Sequence, residues 1–302
     1  MSLTRERGGA VQISLVLGAG LGVEYGFPDG PTLKVRIAKS LSPTDSKLLD
    51  IFNYYPAFTV DEIVARFPEH AETIRRLLMQ ILWSEEKPKL LKQLDRPNTY
   101  GLMLAQVSAA LAAGHSVKIF TFNYDRSLQE MQQRFNAIMP EGTRVDPNLI
   151  VALYGRLSPL FHEDPDRQRP RRYHDYGPPP IPSGVNAEYQ RTADLDDISR
   201  SSKIRFISEG TEIDSVAQYL KDSQRIFFLG FGYHSQNLKA LGYGFGKQPI
   251  GKLIAGTGLG LNSDQVASIK TFYPGITKIE DCTALDFLRF KFSVSEPELH
   301  QF

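Results

Sequence analysis

Residues 12–30 read QISLVLGAGLGVEYGFPDG, and this stretch decides the fold class. It opens with Gln12–Leu17, a mostly aliphatic run that lacks the polar alternation of a half-exposed strand, which indicates a strand buried on both faces. The run leads directly into Gly18-Ala19-Gly20. Because glycine permits a tight turn and a close approach of the backbone, a buried strand that ends in this way is typical of proteins that bind phosphate groups.

Further apolar runs repeat the same pattern along the chain. They predict strands at 117–123, 149–154, 203–207, 225–230, 252–255 and 276–280. Helical segments are predicted between several of them, at 31–41, 126–138 and 212–221. Repeated strands and helices, with strands that are apolar throughout, predict an α/β fold with a Rossmann-like, mostly parallel sheet.

The region between the first two strands contains only helical patterns. Five helical segments are predicted there, at 45–52, 59–67, 72–83, 88–94 and 99–113. We therefore expect a helical insertion over 43–113, with 1–42 and 114–302 forming the sheet domain. The insertion could be a lid over the sheet edge or a surface for a homo-oligomer. The apolar positions from Ile74 to Leu82 fit a docking face and a core-facing helix equally well.

Composition excludes several classes of protein. The 302 residues carry 35 Lys and Arg against 34 Asp and Glu, so the net charge of +1 gives no strong nucleic-acid signal. The single cysteine, Cys282, excludes a disulfide framework and a zinc module built on cysteines, and it indicates a reducing compartment. No apolar run approaches the roughly 20 residues of a membrane span. We expect a cytoplasmic protein in which Cys282 is a small buried residue after the last strand.

The segment 159–202 is rich in proline and contains four closely spaced arginines. Proline disfavours regular structure, so a long loop is predicted. Its arginines resemble a nuclear-localisation or phosphate-binding patch, but the pattern favours a solvated loop balanced by nearby aspartates. The six histidines of the chain lack metal-ligand spacing, so no metal site is predicted.

The glycine turn departs from the usual dinucleotide fingerprint. Val23 occupies the third glycine position of GxGxxG. No acidic residue follows a second strand about 20 positions later to hold an adenosine ribose. Both departures argue against an ordinary dehydrogenase.

Four motifs, each at the carboxyl end of a predicted strand, together resemble the sirtuin superfamily. Gly18-Ala19-Gly20, followed by Gly26, Pro28 and Asp29, resembles the GAGxSxxxGxPD opening of that group. Residues 121–129, TFNYDRSLQ, resemble its TxNxD motif, and most of all the form in its bacterial sirtuin-like branch. Residues 153–157, LYGRL, stand where the superfamily has its His-Gly, and residues 228–234, FLGFGYH, resemble a later LGFG element.

The resemblance implies that NAD or an ADP-ribose derivative binds at the carboxyl edge of the sheet. The implied diphosphate contacts are backbone N–H groups of Gly18, Ala19 and Gly20. Pro28 and Asp29 would belong to the loop that closes over the nicotinamide side. The later motif would admit the adenosine ribose and phosphate, and its implied binding residues are Gly230, Phe231, Gly232 and His234. Gly22 and Gly155 belong to the implied binding residues as well.

The resemblance also implies roles in cleaving the nicotinamide–ribose bond. Asn123 would hydrogen-bond a ribose hydroxyl or orient the attacking water, and Asp125 would face the nicotinamide carboxamide. An amide and a carboxylate of this kind can orient a ribose and stabilise developing positive charge. From the residues alone, Asp125 could instead simply cap the following helix.

Three departures from the superfamily bear on activity. The four-cysteine zinc module of the deacetylases is missing, which argues against lysine deacetylation. Gly22 stands where the motif has serine. Tyr154 replaces the histidine before Gly155, and a phenol with a pKa near roughly 10 is a poor general base. We therefore expect nucleotide binding with weak or absent NAD hydrolysis. The alternative is an active NAD glycohydrolase of the antiphage-defence type that uses Asn123, Asp125 and Tyr154.

Overall fold

The structure is a computed structural model that describes residues 10–85, 98–155, 204–206, 213–241 and 252–291. The strands of these residues form one parallel sheet. The strands of this part are β1 (Gln12–Leu17), β2 (Ser116–Thr121), β3 (Ile150–Ala152), β4 (Arg225–Leu229), β5 (Leu253–Thr257) and β6 (Lys278–Glu280). Their order in the sheet is β3-β2-β1-β4-β5-β6, and each neighbouring pair is parallel. This is the strand order of the doubly wound Rossmann fold, so the predicted fold class is confirmed.

The helices that the structure describes flank this sheet and precede its second strand. They are α1 (Gly20–Val23), α2 (Gly30–Ser40), α3 (Ser46–Tyr54), α4 (Val60–Arg66), α5 (Ala71–Glu85), α6 (Thr99–Ala112), α7 (Ser127–Ile138), α8 (Ile213–Asp222), α9 (Ser235–Ala240), α10 (Ser263–Phe272) and α11 (Ala284–Asp286). Short 3-10 turns lie at Pro43–Asp45, Pro68–His70, Glu141–Thr143 and Pro147–Leu149, and a π turn at Phe287–Lys291 follows α11. None of the helices in the described ranges combines the length and the apolarity that crossing a bilayer requires.

β1 lacks polar alternation because both of its faces are covered. Ile13, Leu15 and Leu17 belong to one hydrophobic cluster with side chains of α5, α6 and α7. Val16, which points to the other face, belongs to a second cluster with Phe228 of β4 and with side chains of α8 and α9. Each cluster covers one face of the sheet, as the continuously apolar strands predict.

The helices between β1 and β2 share the core of the sheet. Ile74 and Leu78 of α5 are fully buried in the same cluster as β1, and Leu77, Ile81 and Leu82 are buried there too. Of the two interpretations of this apolar face, a core-facing helix is therefore the one observed. A homo-oligomer through the insertion would have to use other side chains. The predicted helix at 88–94 lies outside the described residues, and the division into two domains stays a prediction.

Two sequence expectations need correction. The strand predicted at 203–207 is not observed over the described residues 204–206, none of which lies in a strand. Ile204 and Phe206 are buried, and the Arg205 N–H donates to the Tyr154 carbonyl (2.8 Å). Cys282 is only half-buried after β6, and partial burial raises the pKa of its thiol. The proline-rich segment 159–202 lies outside the described residues.

Candidate functional site

The carboxyl edge of the sheet places the predicted motifs at the point where the strand order reverses. β1 and β4 are neighbours in the centre, with β2 and β3 on one side and β5 and β6 on the other. Open α/β sheets bind ligands in the crevice outside the carboxyl ends of the strands at such a switch point. Gly18 follows β1 and Gly230 follows β4, so the two glycine motifs meet there.

The two glycine turns are interlocked through their backbones. The N–H groups of Gly18 and Gly20 donate to the carbonyl oxygens of Leu229 (3.0 Å) and Gly230 (2.9 Å). A Cβ added at Gly18 would lie 2.5 Å from the Gly230 oxygen, and one added at Gly230 would lie 2.5 Å from the Leu21 nitrogen. Packing between the turns therefore explains why both positions are glycine.

This packing bears on the predicted diphosphate contacts, which stay a prediction. In this conformation the N–H groups of Gly18 and Gly20 already have partners inside the protein, so they are not open donors for a phosphate. The turn still presents an open surface, because Ala19 and Gly20 are exposed while Gly18 is buried. A ligand at this edge would lie against that exposed turn.

Asn123 follows β2 and is buried, with 5% of its surface exposed. Its backbone N–H donates to Thr121 Oγ1 (3.1 Å), and its side-chain Nδ2 donates to the phenol oxygen of Tyr100 on α6 (3.3 Å). The other end of the amide, Oδ1, is buried without a hydrogen-bond partner in the structure. A buried acceptor left unpaired is rare, because it loses its hydrogen bonds to water without replacement.

Asp125 is buried two residues further along and has two neighbours that matter for the site. Its Oδ1 accepts from the backbone N–H of Ser127, the first residue of α7 (2.9 Å), so it takes part in starting that helix. Its Oδ2 faces α1, since a Cβ added at Gly22 of that helix would lie 3.3 Å from it. The carboxylate thus occupies the space beside Gly22, and the sequence motifs around Gly22 and Asp125 are brought into contact.

Tyr154, just after β3, packs in an aromatic band formed by the rings of Phe122, Tyr124 and Tyr154. Its hydroxyl donates to Asn237 Oδ1 on α9 (2.7 Å), and its ring stacks on Tyr124 (5.8 Å between centroids) and meets Phe122 edge-on (5.0 Å). Burial raises the pKa of this phenol, and the Asp61 carboxylate raises it further. A buried phenol with a raised pKa that already donates its proton to an amide is poorly suited to act as a general base.

The same band connects the insertion to the sheet edge. The Tyr124 hydroxyl donates to Asp61 Oδ1 on α4 (3.1 Å). Through Tyr124 and Tyr154, α4 is linked to α9 across the carboxyl ends of β2 and β3. The insertion therefore borders the candidate site, as a lid would, and closure of such a lid stays a prediction.

We expect Tyr154→Phe to lower the free energy of unfolding by about 1 kcal/mol, because the ring packing survives and the bond to Asn237 is lost. Urea unfolding of the variant and the parent measures this change. Nucleotide affinity should stay within about twofold of the parent value. A tenfold loss of affinity would instead show that the hydroxyl contacts the ligand.

Alkaline pH is expected to destabilise the fold through its buried phenols. Burial is the main cause of a raised pKa at Tyr25, Tyr100, Tyr154 and Tyr233. The unfolded chain ionises these phenols near pH 10 while the folded chain keeps them neutral, so their contribution is complete below about pH 10 and falls as the pH rises above it. Urea midpoints at pH 8 and pH 11 test this. Tyr154→Phe should show a smaller drop than the parent, and equal drops would contradict the assignment.

The remaining predicted residues lie around the same edge with structural contacts of their own. Pro28 is buried, and Asp29 begins α2 by accepting from the Thr32 N–H (2.9 Å). Phe231 is buried against Phe122 and Phe228. Gly155 has a left-handed φ of 69°. The exposed His234 places its ring against Gly232, where an added Cβ would lie 3.1 Å from Nε2.

Sequence reasoning missed Tyr100, which contacts Asn123 from another element, and the residues Tyr25 and Asn98 that hold Tyr100 in place. Tyr25 lies between α1 and α2, Asn98 precedes α6, and Tyr100 is the second residue of α6. Asn237, the partner of Tyr154, lies on α9. No motif marks these residues, because tyrosine in an apolar helix pattern is read as core. Within the described ranges, no group of three or more His, Cys, Asp or Glu side chains is placed to hold a metal.

Comparison with solved structures finds similarity to sirtuins. A structure described as the structural basis of sirtuin substrate affinity matches at 15% identity with a TM-score of 0.43, over 96% of this chain and 97% of that one. A Sir2 in complex with an inhibitor, 2′-O-acetyl-ADP-ribose and a deacetylated p53 peptide matches at 14% identity with a TM-score of 0.41, over 92% and 91%. A mutant Sir2 homologue in complex with 2′-O-acetyl-ADP-ribose matches at 12% identity with a TM-score of 0.44, over 98% and 94%. No protein-family model and no curated protein matches the chain.

Proposed function

We propose that this protein binds NAD or an ADP-ribose-type nucleotide at the carboxyl edge of its sheet and cleaves NAD weakly or not at all. The observation that carries the proposal is the buried, unpaired Oδ1 of Asn123 at the end of β2. A buried acceptor of this kind is normally paired with a hydrogen-bond donor, and a ribose hydroxyl of a bound nucleotide can donate to it. The position agrees with the role that the sirtuin-like TFNYD motif implies for Asn123.

The neighbouring groups suit the rest of such a ligand. The exposed Ala19 and Gly20 offer a surface free of bulky side chains next to the β1–β4 switch point. The Asp125 carboxylate lies beside Gly22 of α1, where it can accept from a carboxamide N–H or stabilise positive charge on a nicotinamide ring. His234 is exposed on the β4 side of the edge, within reach of solvent and of a bound ligand.

Weak or absent cleavage follows from the state of Tyr154. Hydrolysis requires a group that activates a ribose hydroxyl or a water, and the motif position for that group holds a phenol that is buried, donates to Asn237 and has a raised pKa. Binding without turnover would make the protein a nucleotide sensor. We place it in the cytoplasm, in keeping with its single cysteine.

Two measurements on the purified protein separate binding from cleavage. Thermal unfolding with and without millimolar ADP-ribose or NAD should show stabilisation, because a ligand of the native state raises its apparent stability. Incubation with NAD, followed by chromatography, should leave the NAD intact. Rapid release of nicotinamide and ADP-ribose would instead support the alternative, an active glycohydrolase. Absence of any thermal shift with either nucleotide would contradict the proposal.

A further inference from the structure

We infer that Tyr100 is a positioning residue, whose phenol fixes the orientation of the Asn123 amide so that Oδ1 is presented to the nucleotide. The inference rests on the proposed function and adds to it a residue that lies outside the four sequence motifs. Tyr100 is located on α6, which comes from the helical region between β1 and β2. It reaches the candidate site from a helix rather than from a strand end.

The hydrogen bond between the two side chains sets the direction of the amide. Asn123 Nδ2 donates to the Tyr100 hydroxyl oxygen at 3.3 Å. An asparagine amide has its donor and its acceptor on opposite branches, so holding Nδ2 at one partner determines where Oδ1 lies. Without this partner, both ends of the buried amide would lack a side-chain hydrogen bond, and nothing would distinguish one orientation from the other.

Tyr100 is itself held rigidly, which an orienting group requires. It is fully buried, and its ring stacks on Tyr25 with 4.7 Å between centroids and 12° between the planes. The Tyr25 hydroxyl accepts from the Tyr100 N–H (3.1 Å) and donates to Asn98 Oδ1 (2.8 Å). Asn98 Oδ1 also accepts from the Gly101 N–H (2.8 Å) and so caps α6. The start of α6 is thereby fixed to the segment that follows the first glycine turn.

This arrangement is a preorganised acceptor built from three segments that are separate in sequence, which carry Tyr25, Asn98 with Tyr100, and Asn123. Tyr25 and Asn98 hold Tyr100, and Tyr100 holds Asn123. Preorganisation of a binding group raises affinity because the cost of ordering it is already met in the free protein. Removing the phenol oxygen while keeping the ring should therefore weaken nucleotide binding more than it weakens the fold.

The test compares Tyr100→Phe with Tyr219→Phe. The control removes the phenol that bonds Ser116 Oγ (3.0 Å) at the start of β2, at the opposite edge of the sheet. Calorimetric titration with ADP-ribose is expected to show a roughly tenfold weaker affinity for Tyr100→Phe, a loss of about 1.4 kcal/mol. Tyr219→Phe should stay within twofold of the parent. The double variant Tyr100→Phe/Asn123→Ala should bind no more weakly than Asn123→Ala alone, because the phenol acts through Asn123.

A second readout needs no ligand. The side-chain amide resonances of Asn123, identified by their loss in Asn123→Ala, should shift and exchange faster in Tyr100→Phe than in the parent. Equal ADP-ribose affinity of Tyr100→Phe and the parent would overturn the inference, and so would an additive effect in the double variant. If the parent binds neither ADP-ribose nor NAD, the proposed function fails. The amide resonances of Asn123 then test the orienting role of Tyr100 by themselves. Unchanged resonances in Tyr100→Phe overturn that role, and shifted resonances support it.

Discussion

Replacing Gly230 with alanine is expected to lower the free energy of unfolding by roughly 4 kcal/mol. Gly230 has a left-handed φ of 59°, which costs a non-glycine residue about 1–2 kcal/mol. The added Cβ would also lie 2.5 Å from the Leu21 nitrogen and 3.0 Å from the Gly20 carbonyl carbon. Both are backbone atoms that cannot move aside without opening the interlocked turns.

Gly260→Ala is the matched control for this experiment. Gly260 also has a positive φ, 80°, but no atom lies within 4 Å of its added Cβ. It should therefore show the conformational cost alone, about 1–2 kcal/mol. Urea unfolding of both variants gives the difference that is due to crowding between the β1 and β4 turns. Equal losses at the two positions would contradict the interlocked packing.

Replacing Asn123 with alanine is expected to weaken ADP-ribose binding by about 30-fold or more while leaving the fold nearly as stable. The loss of affinity corresponds to one buried hydrogen bond to the ligand, about 2 kcal/mol. The stability change should be under about 1 kcal/mol, because the variant loses one bond to Tyr100 and at the same time removes a buried acceptor that has no partner.

Asn148→Ala serves as the control for Asn123→Ala, since Asn148 is an exposed asparagine just before β3, at the amino edge of the sheet. Calorimetric titration and urea unfolding of both variants separate the two effects. Unchanged affinity in Asn123→Ala, together with a large loss of stability, would show that Asn123 is a structural residue only.

The sequence predicted the central strands well, because β1 and β4 are covered on both faces. Gln12–Leu17 has the predicted bounds, since its apolar run ends at a glycine that turns the chain. β3 and β6 are shorter than predicted, with three residues each. The apolar run at 203–207 failed as a strand, because burial of Ile204 and Phe206 requires packing but not a ladder. An apolar run alone does not distinguish a buried strand from a buried segment that is not a strand.

Only those residues of the site that belong to a sequence motif could be predicted. Asn123, Asp125 and Tyr154 were placed at strand ends, and the sheet does bring those ends to one edge. Tyr100 could not be predicted, because its bond to Asn123 spans 23 residues between a helix and a strand end. The motifs predict that Gly18 and Gly230 contact a ligand. Their contact with each other depends on β1 and β4 being neighbours, which the sequence pattern does not specify.

The most direct test of the account is a calorimetric titration of ADP-ribose into the unmodified protein. We expect saturable binding with one site per chain, because the glycine turns after β1 and β4 meet at the one switch point of the described sheet, and Asn123 and Asp125 follow the neighbouring β2. Repeating the titration with NAD should give binding heat without a continuing heat of hydrolysis. Absence of saturable binding by either nucleotide at millimolar concentration would contradict the central claim that this edge is a nucleotide site.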